Sequence, residues 1–347
     1  MNQLSEIVNP LVKWYQKNKR VLPWRIQKDP YRIWISEIML QQTRIEAVKE
    51  YYARFMKELP TVDDLAKVEE EKLLKLWQGL GYYNRARNLK KAAMMIKENY
   101  QGKMPNHYKE LVELPGIGEY TAGAIASIAF NEKVTAVDGN VLRVISRIIG
   151  NRKNVLEEKT KKEITEKLIK VVPKEAGDFN EGLMELGETI CLPNQEPLCK
   201  KCPLKQYCYA YHNNATLEIP VREKKVSRTM EEKTVLVLVS DQGKIALNKR
   251  NNKGLLAGLY EFPNLDKTLT QTKVKDYLTT SGYSIDKIKE IGKYTHVFSH
   301  KTWNMIGYQV KVKKITTNDK YIWVSRKALK NEYVIPTAFQ YFLKNME

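Results

Sequence analysis

All four cysteines of the chain, Cys191, Cys199, Cys202 and Cys208, fall in one stretch with the spacing C-x7-C-x2-C-x5-C. Thiols gathered in this way read as a metal site, since disulfides are rare where cellular reductants keep thiols reduced. Only one pair has the CxxC spacing of a zinc ribbon, so the spacing leaves zinc and an iron–sulfur cluster both open. A second set is the turn Leu114-Pro115-Gly116-Ile117-Gly118, followed by Glu119-Tyr120-Thr121-Ala122-Gly123-Ala124. Proline and glycine end one helical pattern and Glu119 opens another, which predicts helix, tight turn, helix. Glycines there let the backbone approach a bulky anion, and the free N–H groups of the second helix point at it. Such a turn is either a phosphate cradle or an ordinary helix corner. Two carboxylates complete the inventory. Asp138, in Val137-Asp138-Gly139-Asn140-Val141, is placed to N-cap a helix over 139–149, and a helix N-terminus keeps such a group ionised. Glu37 precedes Gln41 by one helical turn and shares its face.

These groups need helices to hold them. Ile7, Leu11, Trp14 and Tyr15 predict an amphipathic N-terminal helix, and Val21-Leu22-Pro23-Trp24-Arg25 an extended end. Asp29-Pro30 is a helix-start signal. The helix it opens is expected to run from Tyr31 to about Lys57, with an apolar stripe at Ile38, Ile45, Val48, Tyr52 and Phe55. Gln41 and Gln42 fall on that stripe, where amides are costly unless they meet buried backbone or a polar ligand. Residues 61–100 read as two helices separated at Gly79-Leu80-Gly81-Tyr82-Tyr83-Asn84-Arg85, a loop suited either to base stacking or to simple packing. Helices continue to about Leu186. From 212 to 233 the pattern lapses into polar and basic residues, including Arg222, Lys224, Lys225 and Arg228. Alternation then predicts strands at 234–240 and 244–249, joined by Asp241-Gln242-Gly243, with further strands at 293–297 and 302–312 and helices near 268–280 and 336–345.

With 59 Lys and Arg against 40 Asp and Glu, the formal charge of +19 implies a polyanionic partner, nucleic acid before membrane. No apolar stretch nears the roughly 18 residues of a membrane span. The charged N-terminus carries no visible signal peptide, so a cytoplasmic location is expected.

The string LPGIGEYTAGA, with VDGNVLRV some twenty residues on, resembles the helix-hairpin-helix DNA glycosylases, and within them the MutY-type adenine glycosylases. Ser36-Glu37-Ile38-Met39-Leu40-Gln41-Gln42-Thr43 is similar to that family's signature. The resemblance implies that Glu37 is the general acid and Asp138 the group that stabilises the sugar cation or attacks it, with Tyr120 and Asn140 orienting them. It implies a pocket for a flipped adenine lined by Arg20, Trp24, Arg25, Leu40 and Glu181, and DNA contacts from Gln41, Gln42, Tyr82, Gly116 and Gly118, Gln42 intercalating and Tyr82 acting as a wedge. It also implies a [4Fe-4S] cluster on Cys191, Cys199, Cys202 and Cys208, although the first gap has seven residues where the family more often has six. The C-terminal part resembles a Nudix-like domain, and Phe298-Ser299-His300 matches the loop that recognises 8-oxoguanine. The stretch 268–283 lacks the glutamates that hold Mg²⁺ in a hydrolytic Nudix helix, so this domain is expected to bind rather than hydrolyse.

The expected fold is therefore multidomain. An all-α helix-hairpin-helix domain at 1–211, with its cluster loop at 191–208, leads through a linker at 212–233 to an α+β Nudix-like domain at 234–347. The expected activity is that of a monomeric glycosylase acting on double-stranded DNA with adenine opposite 8-oxoguanine or guanine, and no membrane. An endonuclease III-like lyase needs an amine where this chain has Tyr120. A catalytically silent DNA-binding protein would not need both Glu37 and Asp138.

Overall fold

The computed structural model of the protein describes residues 3–223, 228–314 and 320–346. Lys224 and Lys225 of the basic linker lie outside the described residues. The chain divides into two compact units, Met1–Val68 with Asn88–Lys224, and Glu69–Arg87 with Lys225–Glu347.

The first unit is helical. Helix α1 (Val8–Asn18) buries Leu11 and Tyr15. Helix α2 (Pro30–Leu40) starts where Asp29 and Pro30 predict: the Asp29 carboxylate accepts from Arg32 N at 2.8 Å, and proline at N1 forfeits no bond. Its apolar residues are buried nearly all round, Trp34 and Ile35 completely, so it runs through the middle of the unit rather than along its surface. Helix α3 (Ile45–Glu58) is the amphipathic partner, with Val48, Tyr52 and Phe55 inside. The single helix expected over 31–57 is thus two. Gln41–Thr43 turns between them, and Gln42 adopts a left-handed φ of 59°, which takes both amides off the apolar stripe. Around Pro23 only Leu22 is extended, and Pro23–Arg25 close into a 3₁₀ turn that buries Trp24 against Tyr52, ring centroids 5.4 Å apart.

The glycine turn does separate two helices, α4 (Tyr108–Val112) and α5 (Glu119–Phe130). Gly116 has φ 79°, and a Cβ there would stand 2.6 Å from Asn88 Cβ, so glycine is required by conformation and by space. Helix α6 (Gly139–Ile149) follows, capped by Asp138. Helix α7 (Ala176–Thr189) packs on α1, α5 and α6. Beyond it the cysteine segment is built from short turns, Cys199–Lys201, Lys205–Tyr207 and Tyr209–His212.

The second unit begins with Glu69–Arg87, a segment that precedes the hairpin in sequence. Of the two helices expected over 61–100, the second is Asn84–Tyr100, while the first is split into Val62–Lys67 and Glu70–Leu76. Lys75 Nζ donates to the carbonyls of Lys330 and Tyr333, and Arg87 Nη2 to that of Ala257. The rest is a sheet of β1 (Thr229–Ser240), β2 (Ile245–Lys249), β3 (Tyr260–Glu261), β4 (Asn264–Leu265), β5 (Ser284–Val297), β6 (Lys301–Lys314) and β7 (Ile322–Val324), in the order β3-β2-β1-β6-β5, with β4 on β1 and β7 on β2. β1 and β6 are parallel, while β5 and β6 are antiparallel. Val235, Val237 and Val239 enter one core with Phe339 and Phe342 of α9 (Thr337–Asn345). Leu236 and Leu238 enter another with Val274 and Leu278 of α8 (Gln271–Thr280). A strand covered on both faces must be apolar at every position, which accounts for the unbroken run Val235-Leu236-Val237-Leu238-Val239.

Candidate active site

Within the first unit, α2, α5, α6 and α7 surround a cavity of about 480 Å³. Glu37 reaches it from the last turns of α2, Tyr120 from the first turn of α5, Asp138 from the cap of α6 and Glu181 from α7. Trp24, Arg25, Leu40, Gln41, Gln42 and Asn140 also line it. Most residues expected of a base pocket are therefore together. Arg20 is not in the cavity wall: its guanidinium holds Glu185 at 2.6 Å and Glu188 at 2.5 Å.

Burial raises both carboxylates, and they differ in the donors that oppose it. Glu37 is 7% exposed, and burial pushes its carboxyl up to about 7 although the Tyr120 hydroxyl donates to Oε2 at 2.7 Å. Such a group holds its proton near neutrality. Burial also raises Asp138, but Val141 N donates to Oδ1 at 2.7 Å and Asn140 Nδ2 to Oδ2 at 2.9 Å, and both pull back toward the anion. Asp138 is thus a helix cap and a cavity carboxylate at once. Glu37 meets one side-chain donor and Asp138 the backbone N–H groups of a helix start together with an amide, so Asp138 is the better held as an anion, the division of labour that cleavage of a glycosidic bond requires.

Glu181 and Glu185 form an ion-pair lattice with the arginines. Arg25 Nε lies 3.0 Å from Glu181 and Nη1 2.8 Å from Glu185. Tyr15, which the sequence places only on the apolar stripe of the first helix, lines the cavity and hydrogen-bonds Glu181. Arg143, also missed, is buried, donating Nη2 to Asn140 Oδ1 and Gly187 O and Nε to Cys191 O. Its place on the same helical face as Arg147 was the available signal. Arg147 Nη1 donates to Cys191 Sγ at 3.2 Å.

The four cysteines are free and half-buried. Among the described residues no three His, Cys, Asp or Glu are drawn together closely enough to hold a metal ion. The sulfurs nonetheless act on one another. Burial pushes the Cys202 thiol up to about 12, against the Leu204 N–H, and Cys191, Cys208 and Cys199 each add to the rise. N–H groups of Tyr211 and Ala210 face Cys208. Interacting thiols met by N–H donors and an arginine fit a thiolate-ligated group that carries negative charge.

Gly116 and Gly118 are exposed, and Gly118 caps α5 without a side chain, so the first N–H groups of that helix face outward. In the second unit, Phe298-Ser299-His300 form the turn between β5 and β6, closed by Phe298 N donating to Lys301 O. Ser299 and His300 are exposed. The Tyr82 hydroxyl, from the segment 69–87, is 2.7 Å from Ser299 Oγ, and Tyr82 has a left-handed φ of 47°.

Residues 35–174 match the family described as HhH-GPD superfamily base excision DNA repair protein, and residues 234–345 match the NUDIX domain. The chain is 36% identical over 318 residues to the adenine DNA glycosylase of Buchnera aphidicola subsp. Baizongia pistaciae, covering 90% of this chain and 89% of that protein. To the adenine DNA glycosylase of Homo sapiens it is 34% identical, over 84% of this chain and 64% of the relative. In structure it is similar to a thermostable thymine-DNA glycosylase (TM-score 0.55, 32% identity, 61% of this chain and 97% of that one) and to endonuclease III in a non-covalent DNA complex (0.52, 27%, 61% and 96%). Among the described residues no helix is long and apolar enough to cross a membrane. With identity at this level sustained over nine-tenths of its length, the chain belongs to the adenine DNA glycosylase family of base excision repair.

Proposed function

We propose that the protein hydrolyses the N-glycosidic bond of adenine mispaired with 8-oxoguanine or guanine in duplex DNA. The observation that carries this reading is Glu37, buried, hydrogen-bonded by Tyr120 and with its carboxyl pushed up to about 7, in one cavity with the capped Asp138. Adenine leaves poorly as an anion, so Glu37 gives its proton to a ring nitrogen as the C1′–N bond breaks and its electron pair goes to the base. The sugar becomes an oxocarbenium ion, which Asp138 stabilises or traps before water adds at C1′. Glu181, fixed by Arg25 and Tyr15, presents a carboxylate to the flipped base. Gly116 and Gly118 take a phosphate, Gln41 contacts the duplex, Gln42 intercalates into it, and Tyr82 acts as a wedge in the strand. The protein acts as a monomer inside the cell.

The test is single-turnover release of adenine from duplexes with adenine opposite 8-oxoguanine, guanine or thymine. Release from the first two but not the third supports the reading, and strand cleavage by a Schiff-base route would replace it with a lyase.

The cysteines would hold a [4Fe-4S] cluster, which supplies a charged structural anchor for the loop 191–208. Protein made anaerobically with ample iron is expected to be brown with about four irons per chain, and zinc recovered instead would refute this.

Lesion choice is assigned to the second unit. 8-Oxoguanine differs from guanine by an acceptor at O8 and a donor at N7, which a hydroxyl and an imidazole can read. Such contacts contribute about 1–3 kcal/mol each. Replacing Ser299 and His300 together by Ala is expected to cut the preference for 8-oxoguanine over guanine roughly tenfold or more. An unchanged ratio of single-turnover rates would move lesion reading to the helical unit.

A further inference from the structure

Helix α7 carries Glu181, Glu185 and Glu188 at i, i+4 and i+7, hence on one face. The first faces the base and the second is buried between two arginines. Glu188 has no part in the reaction described above, yet it lines the same cavity. Its side chain is 34% exposed, and its Oε2 lies 2.5 Å from Arg20 Nη2. The residue before it, Gly187, packs so tightly on α6 that a Cβ there would come within 2.7 Å of Asn140 Cβ. The last turn of α7 is thereby fixed beside the amide that donates to Asp138.

We propose that Glu188, pinned by Arg20, is a positioning residue that acts through Asp138, adding negative potential on the side of the cavity where the sugar becomes a cation. This rests on the reading of Asp138 as the anion that meets that cation. A fixed charge beside the reacting atoms acts over several ångströms without touching them, and it needs no reorganisation at the moment of bond breaking. Arg20 has two effects. It keeps Glu188 from swinging into solvent, and it is shared with Glu185 (Nη2 to Oε2, 2.9 Å), so it only partly neutralises Glu188. The influence of Glu188 on Asp138 and on Tyr120 follows the same placement. Among the described residues, the other charged or titratable groups that face the cavity or this corner of it are Glu37 from α2, Tyr120 from α5, Arg143 from α6, Glu181 and Glu185 from α7, Tyr15 and Lys19 at the end of α1, Arg25, Lys28 and Arg222, whose Nη2 donates to Gly139 O.

Glu188→Gln keeps the shape and an acceptor for Arg20 while removing the charge. Single-turnover adenine release is expected to fall about three- to tenfold. The acid limb of its pH profile is expected to move to lower pH, because Asp138 loses a negative neighbour and ionises more readily. Affinity for a duplex carrying an uncleavable 2′-fluoro adenosine opposite 8-oxoguanine should stay level or tighten, since one charge that repels phosphate is gone. Glu188→Asp keeps the charge and should retain the parental limb. A Glu188→Gln protein with parental rate and unmoved limb overturns the inference, as does an equal loss in the Asp and Gln variants. A parent protein that releases no adenine overturns the proposed function instead, and that result needs no variant.

Discussion

A Glu37→Gln protein is expected to bind the mispaired duplex as the parent does and to release adenine about 10²–10⁴ times more slowly. The amide has the carboxyl's shape and can accept from Tyr120, but it has no proton to give. In the parent the rate should decline above about pH 7, where Glu37 ionises, and this descending limb should be absent from whatever activity the variant keeps. Base release within a few-fold of the parent would remove Glu37 from the role of acid. The same substitution has a stability signature of opposite sign. Unfolded Glu37 titrates near its ordinary 4.5 and folded Glu37 near 7. Below the lower value both states are protonated and burial is harmless. As pH rises through that window the unfolded chain ionises first, and the folded state loses on the order of 3 kcal/mol in relative terms. Glu37→Gln should therefore melt higher than the parent at pH 8, with the gap closing toward pH 4.5.

Asp138→Asn should lower base release by about 10²–10³-fold or more, because a neutral amide cannot balance a sugar cation. Asparagine is nearly as good an N-cap as aspartate, so α6 should keep its stability. Asp138→Ala removes the acceptor for Val141 N as well and should lose about 1 kcal/mol of stability in addition to the same loss of rate. Comparing the two variants by single-turnover kinetics and thermal melts separates the cap from the chemistry. A modest rate defect in Asp138→Asn, beside a clear melting defect in Asp138→Ala, would leave Asp138 with the cap alone.

The parts legible in the sequence were those whose chemistry is local. Asp29-Pro30, the glycine turn at 114–118 and Asp138 before Gly139 each specify a backbone event within four residues, and each occurs where the residues predict. The break at Gln41–Thr43 was hidden because Ile38 and Ile45 keep helical phase across it and no glycine or proline marks it. The backbone reveals it, in the left-handed φ of Gln42 and the extended Arg44. Glu37 and Asp138 could be named as the two carboxylates, but the burial that raises both and the bond from Tyr120, eighty-three residues from Glu37 in sequence, come only from the fold. The site roles of Tyr15, Arg143 and Glu188 were missed for a related reason. A helix displays every side chain to the reader, and only packing decides which face meets the cavity. The contact of Tyr82 with Ser299 spans 217 positions, and no local pattern encodes it.

The path of the chain between its two units carries one more consequence. It leaves the first unit after Val68, returns at Asn88 and leaves again after Lys224. A protease that severed only the basic linker would thus produce two fragments, of which the larger still contains Glu69–Arg87. That segment is hydrogen-bonded to Lys330, Tyr333 and Ala257 of the smaller fragment. The nicked halves would remain associated by fragment complementation, at the high effective concentration of an intact molecule. Conversely, a C-terminal fragment starting in the linker lacks an integral piece of its own unit, so the Nudix-like part is not a detachable cassette.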